Sequence, residues 1–98
     1  MLKLQVAPLA AEDLAQAMQF YREQAGDKLA ALYVSEFERV ALLLCEFPDL
    51  GTPLSEGRRV FPFRRFPYSV FYRRAGDFLQ VVAVVHQRRH PDVSKNRH

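Results

Sequence analysis

The chain has 98 residues, of which 49% are hydrophobic and 26% are charged. This length has room for one domain, expected to span residues 1–98, and the hydrophobic share suits a packed core and argues against disorder. No apolar run approaches the ~20 residues that cross a membrane, so no membrane partner is predicted. The single Cys45 excludes an internal disulfide. Together with the absence of a signal-peptide core near Met1, it predicts a cytoplasmic protein.

The net charge of +3 is distributed unevenly along the chain. Residues 58–98 carry nine Arg and one Lys against two Asp, a net charge of +8, whereas residues 1–57 carry a net charge of −5. Such an asymmetry points to a polyanionic partner, and nucleic acid, a ribosome or an acidic protein segment would all qualify.

The first half of the chain predicts a short strand and two helices. Leu2, Leu4 and Val6 alternate with Lys3, Gln5 and Ala7, which is the period of a strand with one buried face. Pro8 stops this strand and suits the start of a helix. Apolar residues then recur at helical spacing on two faces, which we expect to form the core. These stripes are Leu14, Met18, Tyr21 and Ala25, then Leu29, Tyr33, Phe37, Val40, Leu44 and Phe47.

The residues at the helix ends predict an antiparallel helical hairpin. Glu12 and Asp13 are expected in the first turn of the first helix, where the helix dipole favours acidic groups. Asp27 is expected to cap the second helix, and the joint at Gly26-Asp27 is short enough to make the helices antiparallel. Pro48 breaks the second helix, and residues 49–57 predict a loop.

The second half of the chain predicts three strands. Residues 58–65 are β-prone, but Pro62 lacks an amide, which favours an edge or bulged strand. Residues 68–74 and 78–88 predict two further strands joined by a turn at Ala75-Gly76. The polar stretch 91–98 is expected to fray. The predicted fold class is therefore α+β, with the helical hairpin on one face of a small, mainly antiparallel sheet.

A hairpin closed at Ala75-Gly76 determines which side chains share a face. It places Tyr72 opposite Leu79 and Val70 opposite Val81, on the face that the helices cover. The other face then carries four basic or titratable side chains, and we interpret it as a binding face because Arg forks suit phosphate and carboxylate groups. These four are Arg65, Arg73, His86 and Arg88.

Two plainer interpretations stand beside this one. Charged residues on an exposed sheet face are often only a solvated surface that maintains solubility. A lone His86 at a strand end is more often structural than catalytic, although beside Arg side chains it could act as a general base. One Cys and three His do not make a zinc pattern, and residues 51–57 lack the Gly-Lys-Ser/Thr of a phosphate-binding loop, so no metal or cofactor is predicted.

The order of elements and four short motifs resemble the RelE/ParE superfamily of bacterial toxins from type II toxin–antitoxin systems. The motifs are Phe20-Tyr21, FPDLG from Phe47 to Gly51, RRFPYSVFY from Arg64 to Tyr72 and VVAVVHQRRHP from Val81 to Pro91. The resemblance implies a small growth-inhibiting toxin that a cognate antitoxin neutralises, with a hetero-oligomer of the two as a further expectation.

The superfamily has two branches with different mechanisms. Relatives of RelE cleave mRNA on the ribosome with Arg and Lys residues and a Tyr near the C-terminus, whereas relatives of ParE inhibit DNA gyrase without a known catalytic set. By this resemblance Arg88 matches an active Arg of the ribonuclease branch. Ser69, however, stands where that branch usually has another Arg, and no Tyr follows Arg89. The resemblance therefore favours the ParE-like branch, with gyrase as the target.

The expected binding residues follow from the basic face and the motifs together. They are Arg64, Arg65, Ser69, Arg73, His86, Arg88 and Arg89. If the chain is instead a ribosome-dependent mRNA endonuclease, His86 and Arg88 are the expected catalytic residues. A third alternative is a decayed toxin that only binds its antitoxin.

Overall fold

The structure is a computed structural model that describes residues 1–89, except for the side chain of Arg89. It contains two helices and five strands that form one sheet of order β1-β5-β4-β3-β2. The elements are β1 (Lys3–Val6), α1 (Pro8–Ala25), α2 (Asp27–Glu46), β2 (Thr52–Pro53), β3 (Arg58–Pro62), β4 (Tyr68–Ala75) and β5 (Phe78–His86). Single 3-10 turns lie at Ser55–Gly57 and Gln87–Arg89. The predicted tail over 91–98 lies outside the described residues.

The predicted fold class is confirmed. β1 runs parallel to β5, while the other neighbouring strands are antiparallel, and the two helices pack on one face of the sheet. Strand β2 was not predicted, because two residues, one of them Pro53, show no alternation. It pairs with Arg59 and Val60, so β3 is an edge strand only beyond those positions, at Phe61 and Pro62.

The core lies between the helices and the sheet, and the predicted α2 stripe is confirmed from Leu29 to Leu44. The largest fully buried side chains of this core are Tyr33, Val40, Leu44, Val70, Tyr72, Leu79 and Val81. Phe47 lies one residue beyond the end of α2 and is 51% exposed, so its assignment to the stripe is wrong. Cys45 is buried, and burial raises the pKa of its thiol.

Two predictions about the helix ends are wrong: the position of Glu12 and Asp13 in α1, and the capping of α2 by Asp27. Pro8 is the first residue of α1 as expected, but this early start leaves Glu12 and Asp13 outside the first turn. Asp27 is the first residue of α2, and Gly26 occupies the cap position. The Asp27 carboxylate makes no capping bond and instead pairs with Arg22 at 3.0 Å.

The turn between β4 and β5 lies one residue later than predicted. Its two-residue loop is Gly76-Asp77, so Tyr72 lies opposite Val81 and not Leu79. Gly76 has a φ of 60°. Two-residue hairpin loops need a positive φ at their first position, so a loop at Ala75-Gly76 would force an alanine into a conformation that glycine adopts freely.

A bulge at Val82 changes the face of the residues that follow it in β5. The strand pairing shifts between Phe71 and Tyr72, which makes Val82 an extra residue, and the alternation beyond it reverses. Val84 therefore packs in the helix-covered core, while Ala83 lies opposite Phe71 in a separate cluster on the other face. Asp13 of α1 accepts a hydrogen bond from the Val84 amide at 3.0 Å.

Candidate functional site

The loop between β3 and β4 exposes two arginines between two buried rings. Phe63 and Phe66 are 4% and 8% exposed, and their ring centroids lie 5.4 and 5.2 Å from that of Tyr33. Because both phenylalanines point into the core, the intervening Arg64 and Arg65 are exposed to solvent. The two buried phenylalanines that flank Arg64 and Arg65 thus keep both arginines at the surface.

A buried carboxylate holds the backbone of this loop. Glu36 of α2 accepts a hydrogen bond from the Arg64 amide, and it accepts two more from the Arg39 guanidinium at 2.8 and 3.0 Å. The bonds from Arg39 outweigh the effect of burial and hold the pKa of Glu36 below its usual value. The charged carboxylate therefore anchors the loop, while the side chains of Arg64 and Arg65 remain available.

A cavity of about 340 Å³ lies between the outer face of α2 and this loop. Leu29, Leu32 and Phe66 supply apolar walls, and Arg64 and Arg65 lie at its margin. Leu32 is 44% exposed, so the apolar surface is open to solvent. A segment of another protein in which an apolar side chain precedes an acidic one would match these apolar walls and the neighbouring arginines.

The end of β5 lies against the same loop. The Gln87 amide donates a hydrogen bond to the Pro67 carbonyl at 2.8 Å, and the His86 ring contacts the Tyr68 ring edge-on at 5.3 Å. The Arg88 amide donates to Nδ1 of His86 at 3.2 Å. Four predicted site residues therefore lie on this loop or on the end of β5 that contacts it, and with the cavity we name this region the loop-end surface. They are Arg64, Arg65, His86 and Arg88.

Other predicted site residues lie elsewhere. Arg73 is five residues along β4 from Tyr68, which places it ~17 Å away at the opposite end of the strand. The predicted single face joining it to His86 is wrong, because the bulge turns His86 onto the helix-covered side beside Tyr68. Ser69 is only 5% exposed. The predicted side chain of Arg89 lies outside the described part of the chain.

A second group of arginines surrounds Arg73. Arg58, Arg59, Arg73 and Arg74 line a cavity of about 250 Å³, which we name the turn-end pocket. Sequence reasoning missed Arg58 and Arg59 as site residues. Each of the two strands contains an Arg-Arg dipeptide, Arg58-Arg59 in β3 and Arg73-Arg74 in β4. That these dipeptides lie close together becomes visible only once the β3–β4 register is known.

A tyrosine fixes the loop that forms one wall of the turn-end pocket. The Tyr72 hydroxyl donates to the Pro48 carbonyl at 2.7 Å and accepts from the Gly51 amide at 2.9 Å. A Cβ on Gly51 would come within 2.5 Å of this hydroxyl, which explains the glycine. Burial raises the pKa of Tyr72, so the hydroxyl remains a donor at neutral pH.

Two further observations concern residues 1–89. Within this range no three His, Cys, Asp or Glu side chains lie close enough together to hold a metal ion. No helix of the same range has the length and apolar character that crossing a membrane would need.

Comparison with known proteins identifies the family. The model of the ParE toxin of the type II toxin–antitoxin system, parDE, matches residues 4–91, and the chain therefore belongs to this family. Toxin ParE2 from two Mycobacterium tuberculosis strains, CDC 1551/Oshkosh and ATCC 25618/H37Rv, is 28% identical over 81 residues, which are 83% of this chain and 77% of that protein.

A solved structure shares the fold. It is described as the chromosomal ParDE TA system from P. aeruginosa, and it superposes with a TM-score of 0.77 at 24% identity. The superposition covers 88% of this chain and 96% of the other chain. The resemblance to the RelE/ParE superfamily, with the ParE-like branch favoured, is thus confirmed.

Proposed function

We propose that this chain arrests growth by binding and inhibiting DNA gyrase, and that a cognate antitoxin neutralises it. The observation that carries the proposal is the exposed Arg64-Arg65 pair beside an open apolar groove. This surface offers charge-assisted hydrogen bonds and apolar contact to a protein partner. Membership of the ParE toxin family supports the toxin role, and the ParDE assembly of the structural relative supports an antitoxin partner.

The loop-end surface favours binding over chemistry. Its three exposed guanidinium groups do not exchange protons near neutral pH. Ser69 occupies the position where the ribonuclease branch usually has Arg, and its side chain is buried. Inhibition by a stable complex requires none of the missing catalytic groups.

The proposed antitoxin contact can be tested by co-expression with the small reading frame adjacent to the gene. We expect the two proteins to co-purify and the antitoxin to relieve growth arrest, with salt weakening their association through screening. Arg64→Gln with Arg65→Gln should reduce co-purification. Lys28→Gln, which removes an exposed charge from the start of α2, should not. Failure of the wild-type proteins to co-purify, with no relief of growth arrest, would refute the pairing.

The proposed gyrase target predicts a specific pattern among variants of the loop-end surface. Arg65→Ala and Arg88→Ala should each weaken inhibition of supercoiling by ~1.5–3 kcal/mol, the usual contribution of hydrogen bonds to a charged group. His86→Ala should leave most inhibition, because no proton transfer depends on its imidazole. Purified gyrase with relaxed plasmid provides the measurement. Loss of inhibition on His86→Ala, in a variant that melts like the wild type, would contradict a purely binding role.

The second candidate is a ribosome-dependent mRNA endonuclease. It is favoured by one observation, the proximity of His86, Tyr68 and Arg88 at the end of β5. In that case His86→Ala should slow mRNA cleavage on programmed ribosomes by ~10²–10⁴-fold, as expected for a lost acid or base. A-site cleavage by the wild-type protein with gyrase unaffected would establish this candidate in place of the first.

A further inference from the structure

The solvent-facing side of α2 carries apolar and charged residues in a symmetric order. Leu32 and Leu42 are 44% and 56% exposed, and exposed polar residues lie between them and beyond them on the same side of the helix. These residues recur at alternating spacings of four and three positions, which places them along one stripe. We name this stripe the α2 seam, and it consists of Lys28, Leu32, Ser35, Arg39, Leu42 and Glu46.

The order of the residues in the α2 seam, and not their spacing, indicates a partner. Any surface helix exposes residues at such a spacing, and single exposed leucines are common. Here, however, Lys28 precedes one leucine by four positions and Glu46 follows the other by four positions. Among the described residues, neither Lys28 nor Glu46 forms an ion pair. The two ends of the seam therefore offer opposite charges beside apolar side chains.

We propose that the α2 seam packs antiparallel against the α2 seam of a second copy of this chain, about a two-fold axis. In such an arrangement both copies use the same surface, and each contact occurs twice. One register pairs Leu32 with Leu42 of the second copy and Lys28 with Glu46 of the second copy. A parallel pair of helices would instead place like charges opposite each other at both ends, which Coulomb repulsion disfavours.

The middle of the α2 seam lets the two helices approach. In the same register Ser35 lies opposite Arg39 of the second copy, so a small side chain faces a long one. The Arg39 guanidinium donates two hydrogen bonds to the Glu36 carboxylate of its own chain, at 2.8 and 3.0 Å. Because the charge of Arg39 is balanced within its own chain, it does not oppose the contact between copies.

A dimer of this kind covers part of the loop-end surface. Leu32, Ser35 and Arg39 also line the groove of that surface. A second copy and a protein partner bound in the groove therefore exclude each other. This competition rests on the proposed function, whereas the dimer itself does not depend on the toxin's target or on its antitoxin.

Sedimentation equilibrium of the purified full chain, without an antitoxin, tests the dimer. We expect a reversible equilibrium between monomer and dimer with a dissociation constant on the order of micromolar, because one helix pair is a small interface. Leu42→Asp should abolish the dimer, since two carboxylates would replace two apolar contacts. Leu9→Asp makes the same change at a leucine of α1 that is 46% exposed, and should leave the dissociation constant within about threefold.

An exchange of the end charges tests the antiparallel register. Lys28→Glu alone and Glu46→Lys alone should each raise the dissociation constant about tenfold, because each replaces two attractive pairs by two repulsive ones. Lys28→Glu with Glu46→Lys restores opposite charges at both ends and should return the dissociation constant to within about threefold of the wild-type value. Both changes suit the dipole of α2, so circular dichroism should show that all the variants are folded.

Three results would overturn the proposal. One is a monomeric wild type at every concentration that stays soluble. Another is a Leu42→Asp variant that still forms the dimer. The third is a double charge variant that associates as weakly as the single variants, which would show that Lys28 and Glu46 do not meet across the two copies.

Discussion

A hydrogen bond from the Val84 amide to the Asp13 carboxylate joins the first helix to the last strand. Asp13→Ala would leave this amide without its side-chain acceptor, at a cost of about 1–3 kcal/mol in the free energy of unfolding. Urea unfolding provides the measurement. Glu12→Ala, at an exposed neighbouring position on the same helix, should change that free energy by less than about 0.5 kcal/mol. Equal losses in the two variants would show that the bond adds nothing to stability.

Glu36 predicts how stability depends on pH. Because hydrogen bonds from Arg39 lower its pKa, the folded state binds a proton less readily than the unfolded chain. The contribution of Glu36 to the free energy of unfolding is therefore complete above the ordinary Glu pKa. It is lost as the pH falls through the lower pKa that Glu36 has in the folded state. The stability difference between the wild type and Glu36→Gln should shrink as the pH falls from about 6 to about 3.

Chemical unfolding at several pH values measures this difference. Glu38→Gln is the matched control, since Glu38 lies on the same helix but is exposed. The wild type and this control should show the same dependence on pH. A constant difference between the wild type and Glu36→Gln across the range would contradict the assigned role of the carboxylate.

At the scale of elements, α2 provides the test of the core. Phe37 is 6% exposed, and Phe37→Ala should lower the free energy of unfolding by ~3–5 kcal/mol because it leaves a cavity. Phe47→Ala removes the same side chain from an exposed position after the helix and should cost much less. Melting curves of both variants provide the comparison. A Phe37→Ala curve that matches the wild type would show that this helix face does not stabilise the fold.

The sequence predicts those helices and strands whose apolar residues recur with a clear helical or strand period. The helical period of α2 runs unbroken from Leu29 to Leu44, so its buried face could be assigned without a structure. The bulge at Val82 could not be predicted, because Val81, Val82, Ala83 and Val84 are apolar on both faces and give no alternation. The acceptor for Val84 is Asp13, 71 positions away in the chain.

For the candidate site, too, features that depend on strand register could not be predicted from the local sequence. Arg64 and Arg65 are predicted as binding residues from the basic face and the motifs, and both are exposed, but the burial of Phe63 and Phe66 that keeps them at the surface is known only from the structure. The position of His86 depends on the bulge and was therefore predicted on the wrong face. The pairing of Arg58 with Arg73 depends on strand register, which local sequence does not specify when both strands are rich in arginine.

At the scale of the whole molecule, the charge asymmetry of the sequence resolves into two cationic regions. The loop-end surface and the turn-end pocket lie at opposite ends of β4. Acidic residues are concentrated in residues 1–57, which include both helices. The exposed positive charge of the described residues therefore lies in two separate regions of the surface.

The order of events after induced expression in growing cells tests the proposed target most directly. A gyrase inhibitor should produce double-strand breaks and a DNA-damage response while protein synthesis continues, and co-expression of the antitoxin should prevent both the breaks and the response. Break formation and incorporation of labelled amino acids are measured in the same culture, with His86→Ala expressed in parallel. Our account predicts early breaks for both the wild type and this variant. An immediate stop in translation without breaks, abolished by His86→Ala, would contradict it.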